Sequence, residues 1–289
     1  MSNWYEIGWG LDRSPDGKRL VKLYLDVESA NPLLWSAEFA AMLPHQDDTY
    51  GLGGLAAHPT DEDKLFVLAD QGSDPARLYT YRISTAAWTH ITFEHQEKYW
   101  GLGSRCDGTL TTVRRPYTKI DGVRGTLISF SPDNPGETTT ILELDHGIPV
   151  GDNAVDYATG ATWTSGLTAW NGGEPGPSYL TSDGKVRALR GIAETWISGM
   201  MSNRFPSTGG EERRTSGFFV SAANSTRQSS ATPLYLIRRN RRGVDEVVPM
   251  DYLEAFGLPQ PNLVDLANVA GWCNEQRNAA LRGRDWPEI

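Results

Sequence analysis

The residues best placed to do chemistry in this chain are an aspartate and three aromatics. Tyr50, Trp100 and Asp152 stand immediately before Gly51, Gly101 and Asn153, each of which lies about 26 residues ahead of an apolar strand centred on Leu78, Leu127 or Tyr179. That shared offset makes the three positions equivalent. Trp196, before Ile197-Ser198-Gly199, is a fourth member, and Asp265 or Asn262 completes the set. Such a ring is an amphipathic cup: aromatic faces offer contact area to a small apolar or aromatic guest, and the carboxylate orients it or moves a proton. The plainer alternative is aromatic side chains that fill space between strands. Asp70 and Arg114 end the second strands of the same units, on the side of the presumed mouth. An arginine facing Asp152 keeps that acid ionised, whereas an Asp152 left among aromatics has its pKa raised by desolvation and becomes a general acid. The expected catalytic residues are therefore Asp152 and Arg114, and the expected substrate-binding residues are Tyr50, Trp100, Asn153, Trp196, Asp265 and Asp70.

The elements that must position these groups are short strands. Apart from the last forty or so residues, alternating segments bounded by Gly, Pro, Asn and Asp recur, and no convincing run has helical spacing. One strand type returns at Leu23, Leu78, Leu127, Tyr179 and Leu234, roughly every 50 residues, which is the length of a propeller blade. Each copy leads through a turn, such as Asp183-Gly184 or Arg242-Gly243, into another strand, so an outer hairpin appears five times. The middle copies add an inner pair, as in Gly54–Pro59 leading to Lys64–Leu68. Four strands per unit cannot bury both sheet faces alone, so units stack around a channel. The expectation is an all-β single domain over residues 1–289, a five-bladed β-propeller of four-stranded blades closed by pairing of N- and C-terminal strands. If the C-terminal segment and Trp4–Trp9 form a blade of their own, the count is six. Leu263–Leu281 reads either as strand or as amphipathic helix, since Leu263, Leu266, Val269, Ala270 and Cys273 fit helical spacing.

Composition narrows the partners. With 27 basic and 36 acidic residues in 289, the formal charge is −9, which disfavours nucleic acid and anionic membranes. The cluster Arg238-Arg239-Asn240-Arg241-Arg242 reads as a solvated turn. No stretch is apolar enough to span a membrane, and the opening residues lack signal-peptide character, so a cytoplasmic protein is expected. Cys106 and Cys273 read as reduced, buried thiols, and the five histidines include no His-x-x-x-His pair.

The runs Gly54–Pro59 through Asp70 and Asn153–Gly160 through Ser165 resemble the inner-strand signature of β-propellers of the gluconolactonase, strictosidine synthase and NHL-repeat kind, over about residues 50–190. The resemblance is specific for architecture and poor for function. Gluconolactonase-like members imply a divalent cation on the axis, for which Glu6, Asn153 and Asp152 or Asp265 are the matching residues; the position of Trp196 carries no acid. Strictosidine-synthase-like members imply ring formation without a metal, promoted by a carboxylate in an apolar pocket. The aromatic cup suits the latter, so the expected function is an enzyme, without cofactor, that cyclises or isomerises a small apolar metabolite. A metal-dependent lactone hydrolase is one alternative. A sugar-binding propeller similar to the fungal fucose lectins is another, although only Trp35 and Trp88 approach the recurring offset such sites need. An interaction platform would instead show a large exposed apolar patch.

Overall fold

A computed structural model describes residues 4–26, 28–29, 33–46, 51–71, 74–94, 97–116, 125–143, 152–155, 162–166, 178–180, 186–194, 196–202, 217–223, 231–239 and 245–274. Among these, every regular element is a strand. The chain opens with β1 (Trp4–Ser14), β2 (Gly17–Asp26) and β3 (Leu33–Met42). Three four-stranded antiparallel meanders follow: β4 (Gly51–Ala57) to β7 (Ala87–Thr92) through β5 (Lys64–Gln71) and β6 (Asp74–Arg82); β8 (Glu97–Ser104) to β11 (Asn134–Glu143) through β9 (Leu110–Pro116) and β10 (Thr126–Ser131); and β12 (Asn153–Val155) to β15 (Val186–Ala188) through β13 (Thr162–Gly166) and β14 (Ser178–Leu180). Then come β16 (Trp196–Ser202), β17 (Gly217–Ala223), β18 (Leu234–Arg239), β19 (Asp245–Tyr252) and finally β20 (Leu263–Asn268).

The five recurring strands of the sequence are β2, β6, β10, β14 and β18, each third from the inner edge of its meander, and the five outer hairpins follow them. The strand reading of residues 263–268 holds: β20 pairs antiparallel with β1, Gly8 opposite Asn268 and Leu11 opposite Asp265, so the two ends of the chain share one sheet. Trp4–Trp9 belongs to that same sheet. An unforeseen feature is the parallel pairing of β19 with β3, Met250 to Leu33 through Tyr252 to Trp35, which merges two meanders into an eight-stranded sheet.

The cores lie between neighbouring sheets, as the propeller plan requires. Trp9, Leu11 and Leu20 meet Leu65, Val67 and Tyr79. Phe66 and Leu68 meet Leu102 and Phe130. Trp35 and Leu23 meet Phe219 and Leu236. The first strands touch in the closed sequence β4, β8, β12, β16, β20 and back to β4, so their inward edges converge on one axis.

The two cysteines are not free thiols. Cys106, exposed in the turn after β8, is bonded to Cys273, beyond β20, with the Cα atoms 5.6 Å apart. The partners are brought together by the segment after β20, which runs across the turn after β4: Gly271 N donates to His58 O at 2.8 Å and Cys273 N to Pro59 O at 2.6 Å. The buried Trp272 donates its indole N–H to Ser104 Oγ at 2.9 Å. Sequence spacing alone could not show this, because the residues are 167 apart and meet only when the ring closes. A cross-link over so long a loop restricts the unfolded chain strongly; replacing both cysteines by serine is expected to lower stability by about 4 kcal/mol. Urea unfolding checks this, and an unchanged midpoint would contradict it.

Candidate functional site

The inward edge of each first strand carries backbone N–H groups that no neighbouring strand can pair, because the sheet ends there. Two carboxylates meet them. Asp152 Oδ1 accepts from Leu102 N (3.1 Å) and Asn153 N (2.6 Å), and its Oδ2 accepts from Met200 N (2.7 Å). Asp265 Oδ2 accepts from Leu55 N (2.7 Å), and its Oδ1 from Leu266 N (2.6 Å). One N–H from each of the five first strands is thus satisfied by two side chains. These donors place Gly54, Gly101, Asp152, Gly199 and Asp265 in equivalent positions.

Three of the five must be glycine. A Cβ on Gly101, whose φ is +65°, would stand 2.6 Å from Asn153 N and 2.7 Å from Asp152 Cα, and one on Gly199 would stand 2.7 Å from Asp265 Cα. Ladder irregularities at Leu52/Gly54, Trp100/Gly103 and Ile197/Gly199 fall at the same level and bend the strands toward the axis. Hydroxyls tie the units together. Ser165 Oγ accepts from Asp152 N at 2.7 Å and turns its one proton toward Asp152 O at 3.1 Å in its own sheet and Ile197 O at 3.3 Å in the next, and Ser198 Oγ donates to Leu263 O at 3.0 Å.

The acid pair is sealed from water, with Asp152 1% and Asp265 3% exposed. The two carboxyls hydrogen-bond each other. Burial raises both pKa values; the Asp152 charge and the hydrogen bond made to it raise Asp265 further, while that bond and the backbone donors draw Asp152 down. The pair therefore keeps at least one proton, shared between the two carboxyls, far above the ordinary aspartate range, with Asp152 itself raised to about 7.

On the C-terminal side of the pair lies a recess of about 230 Å³, counting space that opens to solvent, lined by small residues such as Ala56, Gly103, Ser104 and Ala154. Asn153 lines it too. Its Oδ1 accepts from Thr111 Oγ1 at 2.6 Å, while its buried Nδ2 has no partner among the described residues.

The structure redistributes the expected site. Asp152, Asn153 and Asp265 do come together at the axis. Gly101, not Trp100, is the residue level with Asp152; Trp100 is half-buried one position earlier in β8, opposite Val113. Arg114 does not face Asp152: it pairs with Glu97 at 3.7 Å and donates to Thr138 Oγ1 at 3.3 Å, within its own sheet. Asn262 serves another acid, donating its N–H at 2.8 Å to Asp12, which Arg19 holds at 2.5 Å. Tyr50 and the side chains of Asp70 and Trp196 lie outside the described residues. Glu6 is exposed near the start of β1, about 15 Å along the strand from Leu11, which faces Asp265, so the metal-binding set Glu6, Asn153 and Asp152 does not converge. Among the described residues, no three of His, Cys, Asp and Glu gather into a metal-binding group. The sequence reading missed the three axial glycines, whose signal was present in Gly53-Gly54, Gly101 and Gly199.

No protein-family model matches the chain, and no curated protein matches it. Solved structures similar to it include TolB from Acinetobacter baumannii, at 14% identity and TM-score 0.45 over 86% of this chain and 54% of that one. A luciferin-regenerating enzyme is similar at 12% identity and TM-score 0.42 over 89% and 78% of the two chains. A GH43 β-1,3-galactosidase is similar at 11% identity and TM-score 0.47 over 83% and 88%. This chain thus spans about half the length of TolB, and no residue role or activity is carried over from any of the three.

The acid pair has a consequence for stability. The native state keeps a proton that the unfolded chain releases once pH exceeds the ordinary aspartate value of about 3.9, so the stability associated with it is full below that value and lost as pH rises through the raised native value. Asp265→Asn keeps a donor toward Asp152 without needing a proton. Urea midpoints are expected to fall less steeply between acid and alkaline pH in this variant than in the parent chain; equal slopes would contradict the shared proton. Asp152→Asn and Asp265→Asn each replace an oxygen that accepts a backbone N–H by an amide NH2, and each is expected to cost about 2 kcal/mol at low pH, where the proton linkage adds nothing.

Proposed function

We propose that the chain is a five-bladed propeller, its blades β20-β1-β2-β3, β4–β7, β8–β11, β12–β15 and β16–β19, and that it is an enzyme handling one small organic molecule per chain on the axis. The observation that carries this reading is the unlikeness of equivalent positions: three glycines and two aspartates at Gly54, Gly101, Asp152, Gly199 and Asp265. Repeated binding sites need repeated residues; a single composite centre needs different ones. The segment Val269–Asn274 crosses the ends of β4 and β8, so a guest enters from the other end, where Trp100 stands, with Tyr50 and Trp196 as the further proposed contacts. Asp152 and Asp265 act from beneath. Their oxygens are occupied and dry, so once the pH exceeds the raised Asp152 value of about 7 they contribute a single negative charge that favours positive charge developing in a guest, which suits cyclisation or isomerisation through a cationic transition state.

The lectin reading loses its recurring tryptophan, because Trp35 is fully buried against Tyr252 and Trp88 packs on Tyr81. The Cys106–Cys273 bond supports residence in an oxidising compartment, in place of the cytoplasmic location that composition suggests.

Native mass spectrometry and calorimetry against a panel of lactones, aromatic aldehydes and amines, and glycosides test the proposal. One molecule per chain is expected, weakened about tenfold by Trp100→Ala with an unchanged circular dichroism spectrum. Several equal sites, or wild-type affinity in Trp100→Ala, would overturn it.

A further inference from the structure

A second feature lies on the flank of the sheet formed by β1–β3, independent of the axis. Glu6 stands opposite Tyr24 in the β1·β2 ladder, and Trp4, two residues earlier, points to the same face. Ser36 of β3 stands opposite Tyr24 on the other side. The turn after β19 folds back over these strands. Leu253 N donates to Trp35 O at 2.9 Å and Ala255 N to Ser36 Oγ at 3.2 Å, which seats Phe256 against the face. Its ring centroid is 4.6 Å from that of Tyr24, tilted 38°, and 5.8 Å from that of Trp4, at 65°.

Phe256 is nevertheless 39% exposed and Leu253 45%, whereas Trp35, directly beneath the turn, is fully buried. Trp4 and Tyr24 are half-buried. The Phe256 ring is inclined to both Tyr24 and Trp4, so it makes a corner with them, not a flat shelf. A sugar ring stacks on a shelf; a cation is attracted to π faces that approach it from more than one side.

The charge around the corner selects the same class of guest. Glu38 Oε2 accepts from Tyr24 Oη at 2.7 Å, and Glu6 lies beside the same ring. Burial, then Glu38 and Glu6, raise the Tyr24 pKa, so the phenol stays neutral and its face stays electron-rich. Lys22, two residues along β2, already places its ammonium 5.6 Å from the Trp9 ring, a cation–aromatic contact on the same face. We propose that Trp4, Tyr24 and Phe256, with Glu6 and Glu38, form a binding site for an organic cation of the quaternary or alkylated ammonium class. The site lies about 20 Å along β1 from Leu11 and the acid pair, and it does not rest on the enzymatic reading.

Tetramethylammonium and choline titrated into the full chain, followed by the Trp4 indole N–H in proton–nitrogen NMR spectra (assigned with Trp4→Phe), test it. A saturable millimolar shift is expected with both and not with the neutral isostere 3,3-dimethylbutanol. Phe256→Ala is expected to weaken binding about fivefold; Glu38→Gln, which retains an acceptor for Tyr24, is expected to weaken it also. Phosphatidylcholine vesicles separate the sources: sedimentation with vesicles that Phe256→Ala abolishes marks a membrane-borne headgroup, and its absence beside choline binding marks a free cation. No saturable shift up to about 100 mM, an equal response to dimethylbutanol, or a shift with glucose alone would overturn the proposal.

Discussion

Five strand edges turned toward one axis create a problem that the rest of the molecule is arranged around. Each edge brings the backbone N–H of a buried residue to the axis, and a buried unpaired donor costs about 1–3 kcal/mol. Asp152 and Asp265 answer all five with four carboxyl oxygens. Two ionised carboxylates so close would repel each other strongly, and the shared proton removes that conflict.

This solution fixes the surrounding sequence. The strands approach closely enough that Gly54, Gly101 and Gly199 cannot carry a Cβ without displacing the next strand. The ladder irregularities at the same level, and the hydroxyls of Ser165 and Ser198, set how each strand meets its neighbour. Ring closure is reinforced at three depths: the β1·β20 ladder, the parallel β19·β3 contact at the periphery, and the Cys106–Cys273 bond across the end. A toroidal fold has no single centre of hydrophobic mass, and its apolar clusters lie between sheets, so covalent and ladder closures keep the ring from opening at one seam.

Much of the architecture was legible in the sequence because the third strand of every unit repeats its apolar pattern, from Lys22–Leu25 to Leu234–Ile237, at nearly constant spacing. The site was legible only in part. Counting back from those strands aligned Gly51 with Gly101 and Asn153, whereas the hydrogen bonds align Gly54, Gly101 and Asp152: bulges and turns of unequal length between first and third strands spoil any count by offset. Arg114 was placed on the right sheet, but its direction depends on Glu97 and Thr138, which sequence spacing does not fix. The cysteine bond and the parallel β19·β3 pairing join residues far apart in the chain, and neither leaves a local signal.

The shared proton is the claim that can be met most directly, by infrared spectroscopy of the chain with isotope-labelled aspartate. Well above pH 7, where Asp152 is ionised, one protonated aspartyl carboxyl band is expected for the pair, sensitive to the label and absent in Asp265→Asn. A spectrum showing only carboxylate at that pH, with the ring intact, would contradict it.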